Sequence, residues 1–171
     1  MIEQVNFERS LKKRERAAMK EDIFMQTAVL FSRLSTCARL SVGGVLVKNE
    51  RIVSTGYNGT PSGIIHCKDY FLGVSYEELQ EKHADFSHRY ELHCEQNILM
   101  ECLKNQVTTK GAVLYITISP CSYCAKLLIA ADIKGVFYLD EYDRDTTGIK
   151  LLEECGIFGK KYTLYKGENV E

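Results

Sequence analysis

Hydrophobic positions along the chain change period several times. From Asp22 to Ser35 the apolar residues Phe24, Ala28, Phe31 and Leu34 return every three to four positions, which predicts a helix with one buried face, started by Asp22 as its cap. Val42 to Lys48 and Arg51 to Tyr57 instead read as two strands around a tight turn at Asn49-Glu50, a hairpin. Between Asn58 and Tyr90 no period persists. Gly59, Pro61 and Gly63 are followed by mixed charge, which predicts a long loop with a short helix around Ser75 to His83. A regular alternation then follows: helix His93 to Lys104, strand Ala112 to Ser119, helix Cys121 to Ala131, strand Val136 to Asp140, helix Thr147 to Cys155 and strand Tyr162 to Tyr165. Such alternation pairs the later strands in parallel through crossover helices, so the expected fold is α/β, a mixed sheet between helical layers.

Composition narrows the class. With 171 residues and 45% hydrophobic content, the chain is expected to form a single domain over 1–171, and it has no apolar run long enough to span a membrane. The segment from Met1 to Glu21 is rich in charge and lacks the apolar centre of an export signal. Seven cysteines then point to metal ligands and free thiols in a reducing cytoplasm rather than to disulfides. A net charge of −1 argues against a broad nucleic-acid-binding surface. The run Lys12-Lys13-Arg14-Glu15-Arg16 is the strongest basic patch and reads as the solvated face of a leading helix.

Two short clusters carry the chemistry. His93-Cys94-Glu95 and Pro120-Cys121-Ser122-Tyr123-Cys124 offer one imidazole and two thiolates, the three protein ligands that a catalytic zinc takes while keeping its fourth position for water. Two cysteines separated by two residues reach one ion from the first turn of a helix, whose free N–H groups favour thiolate, and Pro120 suits such a start. Zinc lowers the pKa of its water to about 7, and Glu95, two residues after His93, is the expected proton shuttle. Taken alone, Cys-x-x-Cys also fits a redox pair. The conjunction of H-x-E with P-C-x-x-C is the signature of zinc nucleobase deaminases.

The match extends beyond these clusters. Ser35-Thr36-Cys37-Ala38-Arg39, Val42-Gly43-Gly44-Val45-Leu46-Val47, Ser54 to Gly63, and His66-Cys67 resemble, in order, the opening blocks of the deoxycytidylate (dCMP) deaminases of the cytidine deaminase superfamily. His93 to Asn97 and Ser119 to Ala125 resemble its core, with Cys94 where alanine is usual. The resemblance implies zinc-dependent hydrolysis of dCMP to dUMP and ammonia for thymidylate synthesis. It also implies a three-layer αβα sandwich with a mixed five-stranded sheet, hexamers, and in many members activation by dCTP and inhibition by dTTP with Mg2+. It places the Tyr57-Asn58-Gly59-Thr60-Pro61 block at the nucleotide, with Asn58 bonding sugar or phosphate and Gly59 admitting close backbone approach; a turn that simply needs Asn-Gly is the alternative. Arg39 and Tyr142 are candidate phosphate contacts, and the Ser119 carbonyl is a candidate acceptor for the cytosine amine.

Cys37, Cys67, His83 and Glu91 match, by order and spacing, a structural zinc site found in some members of that family, phage enzymes among them. Ordinary buried thiols beside a solvated His83 and Glu91 are the other reading, and His88 or His66 stands ready to replace a ligand. Cys102 and Cys155 read as core residues on apolar helical faces. Two rival functions keep the same fold: a polynucleotide deaminase acting on transfer-RNA adenosine, which needs a basic groove, and a nucleotide-binding DNA-uptake or regulatory protein without turnover, which has no need of Glu95.

Overall fold

Strand residues alternate strictly between two cores, and this sets the architecture of the computed structural model, which describes residues 2–164. Val45, Val47 and Tyr115 face one side of the sheet, where Met25 and Ala28 of a helix cover them. Leu46, Leu114, Ile116, Val136 and Tyr138 face the other, packed by Ile98, Ala125, Leu128 and Leu152 from three further helices. A period of two with both faces buried requires helices on both sides. The fold is accordingly the expected α/β arrangement of three layers.

The elements run α1 (Ile2–Ser32), β1 (Gly43–Lys48), β2 (Arg51–Tyr57), α2 (Cys67–Tyr70), α3 (Tyr76–Tyr90), α4 (Cys94–Lys104), β3 (Val113–Ile118), α5 (Ser122–Ala130), β4 (Gly135–Asp140), α6 (Thr147–Glu154) and β5 (Phe158–Lys161). The five strands lie in the order β2-β1-β3-β4-β5. Hairpin β1/β2 and the pair β1/β3 are antiparallel, whereas β3/β4 and β4/β5 are parallel. Helix α1 crosses β1 so closely that a Cβ on Gly43 would overlap the backbone at Ser32 and Ala28.

Three expectations change. The first helix does not begin at Asp22: α1 runs from Ile2, and Asp22 is an interior residue, 8% exposed, whose carboxylate accepts from Gln26 Nε2 at 2.5 Å. Residues Arg9 to Met19 are exposed and consist largely of lysine, arginine, glutamate and alanine, strong helix formers that need no apolar stripe. The basic run from Lys12 to Arg16 is thus a solvated helical face. Leu34, assigned to the buried face, lies past the helix end and is exposed, and Met25 joins the face instead.

The second change is in the segment from Asn58 to Tyr90, which holds more structure than a loop. Helix α3 runs 15 residues, capped by Ser75, whose hydroxyl accepts from Glu78 N at 3.2 Å. Its buried side is Leu79, His83 and Phe86, spaced i, i+4, i+7, so a histidine stands where a hydrophobic residue would have made the stripe legible. Third, the last strand is Phe158–Lys161, not Tyr162 to Tyr165; Tyr165 lies outside the described residues. The turn at Gly156 delivers the chain to β4 in a register that pairs Gly135 with Phe158, and Tyr162 N still reaches Tyr138 O at 2.6 Å. Exposed Lys160 and Lys161 suit an edge strand.

Candidate metal and active site

Helices α4 and α5 start side by side, and the residues preceding them carry the first cluster. His93 and Cys121 occupy the N-cap positions of α4 and α5, and Cys124 lies in the first turn of α5. Extended backbone at both caps turns these side chains toward each other. His93 Nδ1 lies 3.4 Å from Cys124 Sγ and 3.6 Å from Cys121 Sγ. One donor atom from each of the three sits within 4.8 Å of the others, a spacing that a single tetrahedral ion with bonds of about 2.0–2.3 Å spans. The cap is braced: His93 N donates to Gln96 Oε1 at 2.8 Å, and Asn97 Nδ2 donates to Tyr57 O at 2.7 Å.

The electrostatics suit a cation. The Cys121 thiol is held down at about 4, first by its hydrogen bond with Cys124 and then by His93, so the pair carries a thiolate and Cys124 is pushed up as its partner. Glu95 is 4% exposed, and burial raises its carboxyl to about 7 against the lowering effect of His93. A carboxyl poised near neutrality beside three soft donors can both accept and return a proton.

A second cluster lies under α3. Donor atoms of Cys37, Cys67, His83 and Glu91 also fall within 4.8 Å of one another, and all four residues are buried. His83 Nε2 is 3.1 Å from Cys37 Sγ and 3.7 Å from Glu91 Oε2. Burial pushes the thiol of Cys67 up to about 12 and that of Cys37 upward, and pushes His83 down. Glu91 Oε1 and His83 Nδ1 are buried without any hydrogen-bond partner. Four converging donors, two of them with orphaned atoms, are costly unless a cation gathers them, and two thiols, an imidazole and a carboxylate form a ligand set suited to zinc. His66 and His88 stay outside the group: His66 Nδ1 contacts Thr60 Oγ1 at 3.1 Å, and His88 is exposed.

Both clusters face one cavity of about 330 Å³, with Cys37, His83 and Glu91 at one side and His93, Glu95 and Cys121 at the other. Arg39, Asn58, Ser119 and Tyr142 all line it. Asn58 is heavily committed to the chain: Oδ1 accepts from Val42 N and Nδ2 donates to Leu40 O, each at 2.8 Å. One N–H of that amide is left for a ligand. Gly59 is not among the lining residues. Its missing side chain makes room for Thr36 Oγ1, and its backbone pairs with Leu92, one residue before His93, at 3.1 and 2.9 Å. The Ser119 hydroxyl accepts from Tyr142 N at 2.8 Å and so holds the loop that bears Tyr142.

Among the remaining cysteines, Cys94 is fully buried with Sγ 3.3 Å from Gly56 O, and Cys102 is in the core as expected. Cys155 is not: it is exposed at the C-terminal cap of α6, past the face that packs.

Sequence reasoning missed Arg144 and Asp145 on the cavity wall, and it named His88, which also lines the cavity, only as a substitute metal ligand. Asp145 was open to discovery, because an aspartate two residues before a helix start is an Asx-turn signal. Its carboxylate accepts from Ser122 N at 2.7 Å and from Thr147 N and Oγ1 at 3.0 and 2.5 Å, clamping the start of α5 to the start of α6. The Thr147 hydroxyl leads the donors that hold its carboxyl well below the usual range. The resulting stability is complete above the ordinary value of 3.8 and is lost as pH falls from there through the folded value. Asp145→Ala is expected to cost about 1–2 kcal/mol at pH 7 in urea unfolding, as for a lost cap.

Comparison with known proteins agrees with this geometry. A family model described as the cytidine and deoxycytidylate deaminase zinc-binding region matches residues 19–140. The deoxycytidylate deaminase of Enterobacteria phage T4 is 33% identical, the match covering 81% of this chain and 88% of the relative. That of Mus musculus is 35% identical over 90% of this chain and 85% of the relative. The crystal structure of dCMP deaminase from the cyanophage S-TIM5 in complex with dCMP and dUMP superposes with a TM-score of 0.68 and 37% identity, covering 82% of this chain and 94% of that one. By its matched zinc-binding region, its sheet and its paired helix starts, the chain belongs to the cytidine and deoxycytidylate deaminase family.

Proposed function

We propose that this protein hydrolyses dCMP to dUMP and ammonia. The observation that carries the reading is the buried Glu95 carboxyl, near neutrality, beside the His93-Cys121-Cys124 donors on the wall of a cavity large enough for a small ligand. The dCMP- and dUMP-bound relative supports the choice of substrate. His93 Nδ1 and the sulfurs of Cys121 and Cys124 hold the catalytic zinc, which when bound supplies the Lewis acidity that makes water a nucleophile near pH 7.

Glu95 does the proton work. Its carboxylate takes a proton from the attacking water and gives it to N3 of cytosine; after addition at C4 it relays the second water proton to the amine, which leaves as ammonia. Ser119, held in place by its bond to Tyr142 N, presents its carbonyl to the departing amine. Asn58 shapes the wall through Leu40 and Val42 and offers its remaining N–H to the sugar. Cys37, Cys67, His83 and Glu91 hold a second, structural zinc that fixes α3 against the cavity.

The test is ammonia release by the zinc-loaded protein from dCMP, cytidine, dCTP and an adenosine-containing transfer-RNA stem-loop. Turnover of dCMP above the others is expected, and turnover of the stem-loop alone would overturn the reading. Repeating the dCMP assay with dCTP, dTTP and Mg2+ tests nucleotide regulation.

A further inference from the structure

Helix α5 starts in a way that its own residues do not explain. The free N–H groups of a helix start are normally taken up by the side chain at the N-cap. Here that position is Cys121, which makes no capping bond and whose sulfur faces His93 Nδ1. Capping comes from another element. Asp145, in the loop between β4 and α6, accepts from Ser122 N at 2.7 Å through Oδ2, while its Oδ1 accepts from Thr147 N at 3.0 Å. With the Cys121 sulfur committed to a cation, the cap is supplied from across the fold.

The same segment closes on Cys121 from a second direction. Gly148 is buried in the first turn of α6 with helical backbone, so no dihedral angle calls for glycine there. Close approach does: a Cβ on Gly148 would overlap the Pro120 carbonyl oxygen and the carbonyl carbon of Cys121. Just upstream, Ser119 N donates to Asp140 O at 2.8 Å, and Tyr142 N donates to Ser119 Oγ at 2.8 Å. Residues 140–148 therefore hold the chain on both sides of Cys121, at Ser119 and at Ser122, and press on its peptide. His93 has a separate brace through Gln96 and Asn97. Asp145 also lines the cavity, but both of its oxygens are engaged by donors of the chain, which leaves it poorly placed to bind a ligand.

We propose that Asp145 and Gly148 are positioning residues for the catalytic metal: by fixing the peptide that bears Cys121, they set how tightly His93, Cys121 and Cys124 hold it. The proposal rests on the preceding reading of that cluster as the catalytic zinc site. A ligand already held in its binding position loses less freedom when the ion arrives, and the partner that holds it acts through affinity without touching the ion.

Equilibrium competition between the zinc-loaded protein and a chromophoric zinc chelator tests this without turnover. Alkylation of Cys121 and Cys124, set against Cys37 and Cys67 by mass spectrometry, reports which cluster has released its ion. Asp145→Ala is expected to weaken zinc binding at Cys121 and Cys124 by about 10–100-fold, the usual range for loss of a group that orients a ligand, with protection of Cys37 and Cys67 unchanged. Asp145→Asn keeps an acceptor for Ser122 N and should recover most of that loss. Gly148→Ala should act like Asp145→Ala, and the Asp145 variants carry the test if it does not fold. Thr147→Ala is the control: it removes one donor on the α6 side and leaves the bond to Ser122, so it should lower stability without weakening zinc. With zinc in excess, KM for dCMP should stay within about twofold in Asp145→Ala, because its oxygens serve the chain and not the substrate. Parent-like zinc affinity in Asp145→Ala would overturn the proposal, as would an equal loss in Thr147→Ala, which would make the role one of general stability. A raised KM with unchanged zinc affinity would overturn it in favour of a substrate contact. Equal alkylation of Cys121 and Cys124 with and without zinc in the parent protein would remove the metal site and the proposal with it. If the variants weaken zinc as expected but the parent does not deaminate dCMP, the positioning role stands and the proposed reaction fails.

Discussion

Glu95→Gln is expected to lower kcat for dCMP by about 10³-fold while zinc content and fold stay as in the parent, the central value for loss of a positioned general acid and base. Glutamine keeps the shape of the side chain in a site that is 4% exposed, so neither α4 nor the neighbouring Cys124 has reason to move. What disappears is a group whose charged and neutral forms are balanced by burial on one side and by His93 on the other. An amide can donate and accept hydrogen bonds but cannot carry the proton from water to base and then to ammonia. Steady-state ammonia release, paired with zinc analysis and circular dichroism, reads the effect. Near-normal turnover in a folded, zinc-loaded variant would remove Glu95 from the mechanism.

The largest effect on stability is expected at the second cluster. Cys67→Ala should reduce zinc from two per chain to one and lower the melting temperature by about 10 °C. Breaking a buried charged group costs about 3–5 kcal/mol, and each kcal/mol is worth about 2–4 °C in a chain of this size. The reason is local. The core beneath α2 and α3 is small, with Cys37, Cys67, Phe71 and Phe86 as its buried members, and two of those four are donors. Without a cation, Glu91 and His83 remain buried with orphaned atoms, and nothing else in that core can satisfy them. Turnover should fall as well, because Glu91 lies two residues before His93 and the intervening Leu92 pairs with Gly59. Elemental analysis of the protein as purified, with hydrogen exchange over 67–90, checks the prediction. One zinc per chain in fully active parent protein would overturn it.

Legibility in the sequence followed the kind of physical signal. The hairpin at Asn49-Glu50, and the elements from His93 to Glu154, stood out because amphipathic periods and turn residues act over short distances, and the structure keeps them nearly to the residue. Helix α1 upstream of Asp22 did not stand out, because its helicity comes from intrinsic propensity with no buried stripe. Helix α3 was half visible, since its core-facing position is a histidine. The last strand was misplaced because aromatic and β-branched residues at 162–165 look more strand-like than Phe158-Gly159-Lys160-Lys161, whose pairing is set by β4.

The site divides the same way. His93, Glu95, Cys121 and Cys124 could be named from sequence alone, because each metal-ligand motif is local and its chemistry depends on residue type at fixed short spacing. The order Cys37, Cys67, His83, Glu91 was also legible, but only by resemblance. Tertiary structure decided that those four donors converge, that Gly59 serves Thr36 and Leu92 instead of lining the cavity, and that Asn58 is largely committed to the backbone. It alone brought His88 and Arg144 to one cavity wall with Arg39, since segments separated by some fifty residues meet only after the sheet has set strand order and crossover direction. Short-range pattern determined the chemistry available to this chain; long-range packing determined which of its donor groups converge and that both clusters border one cavity.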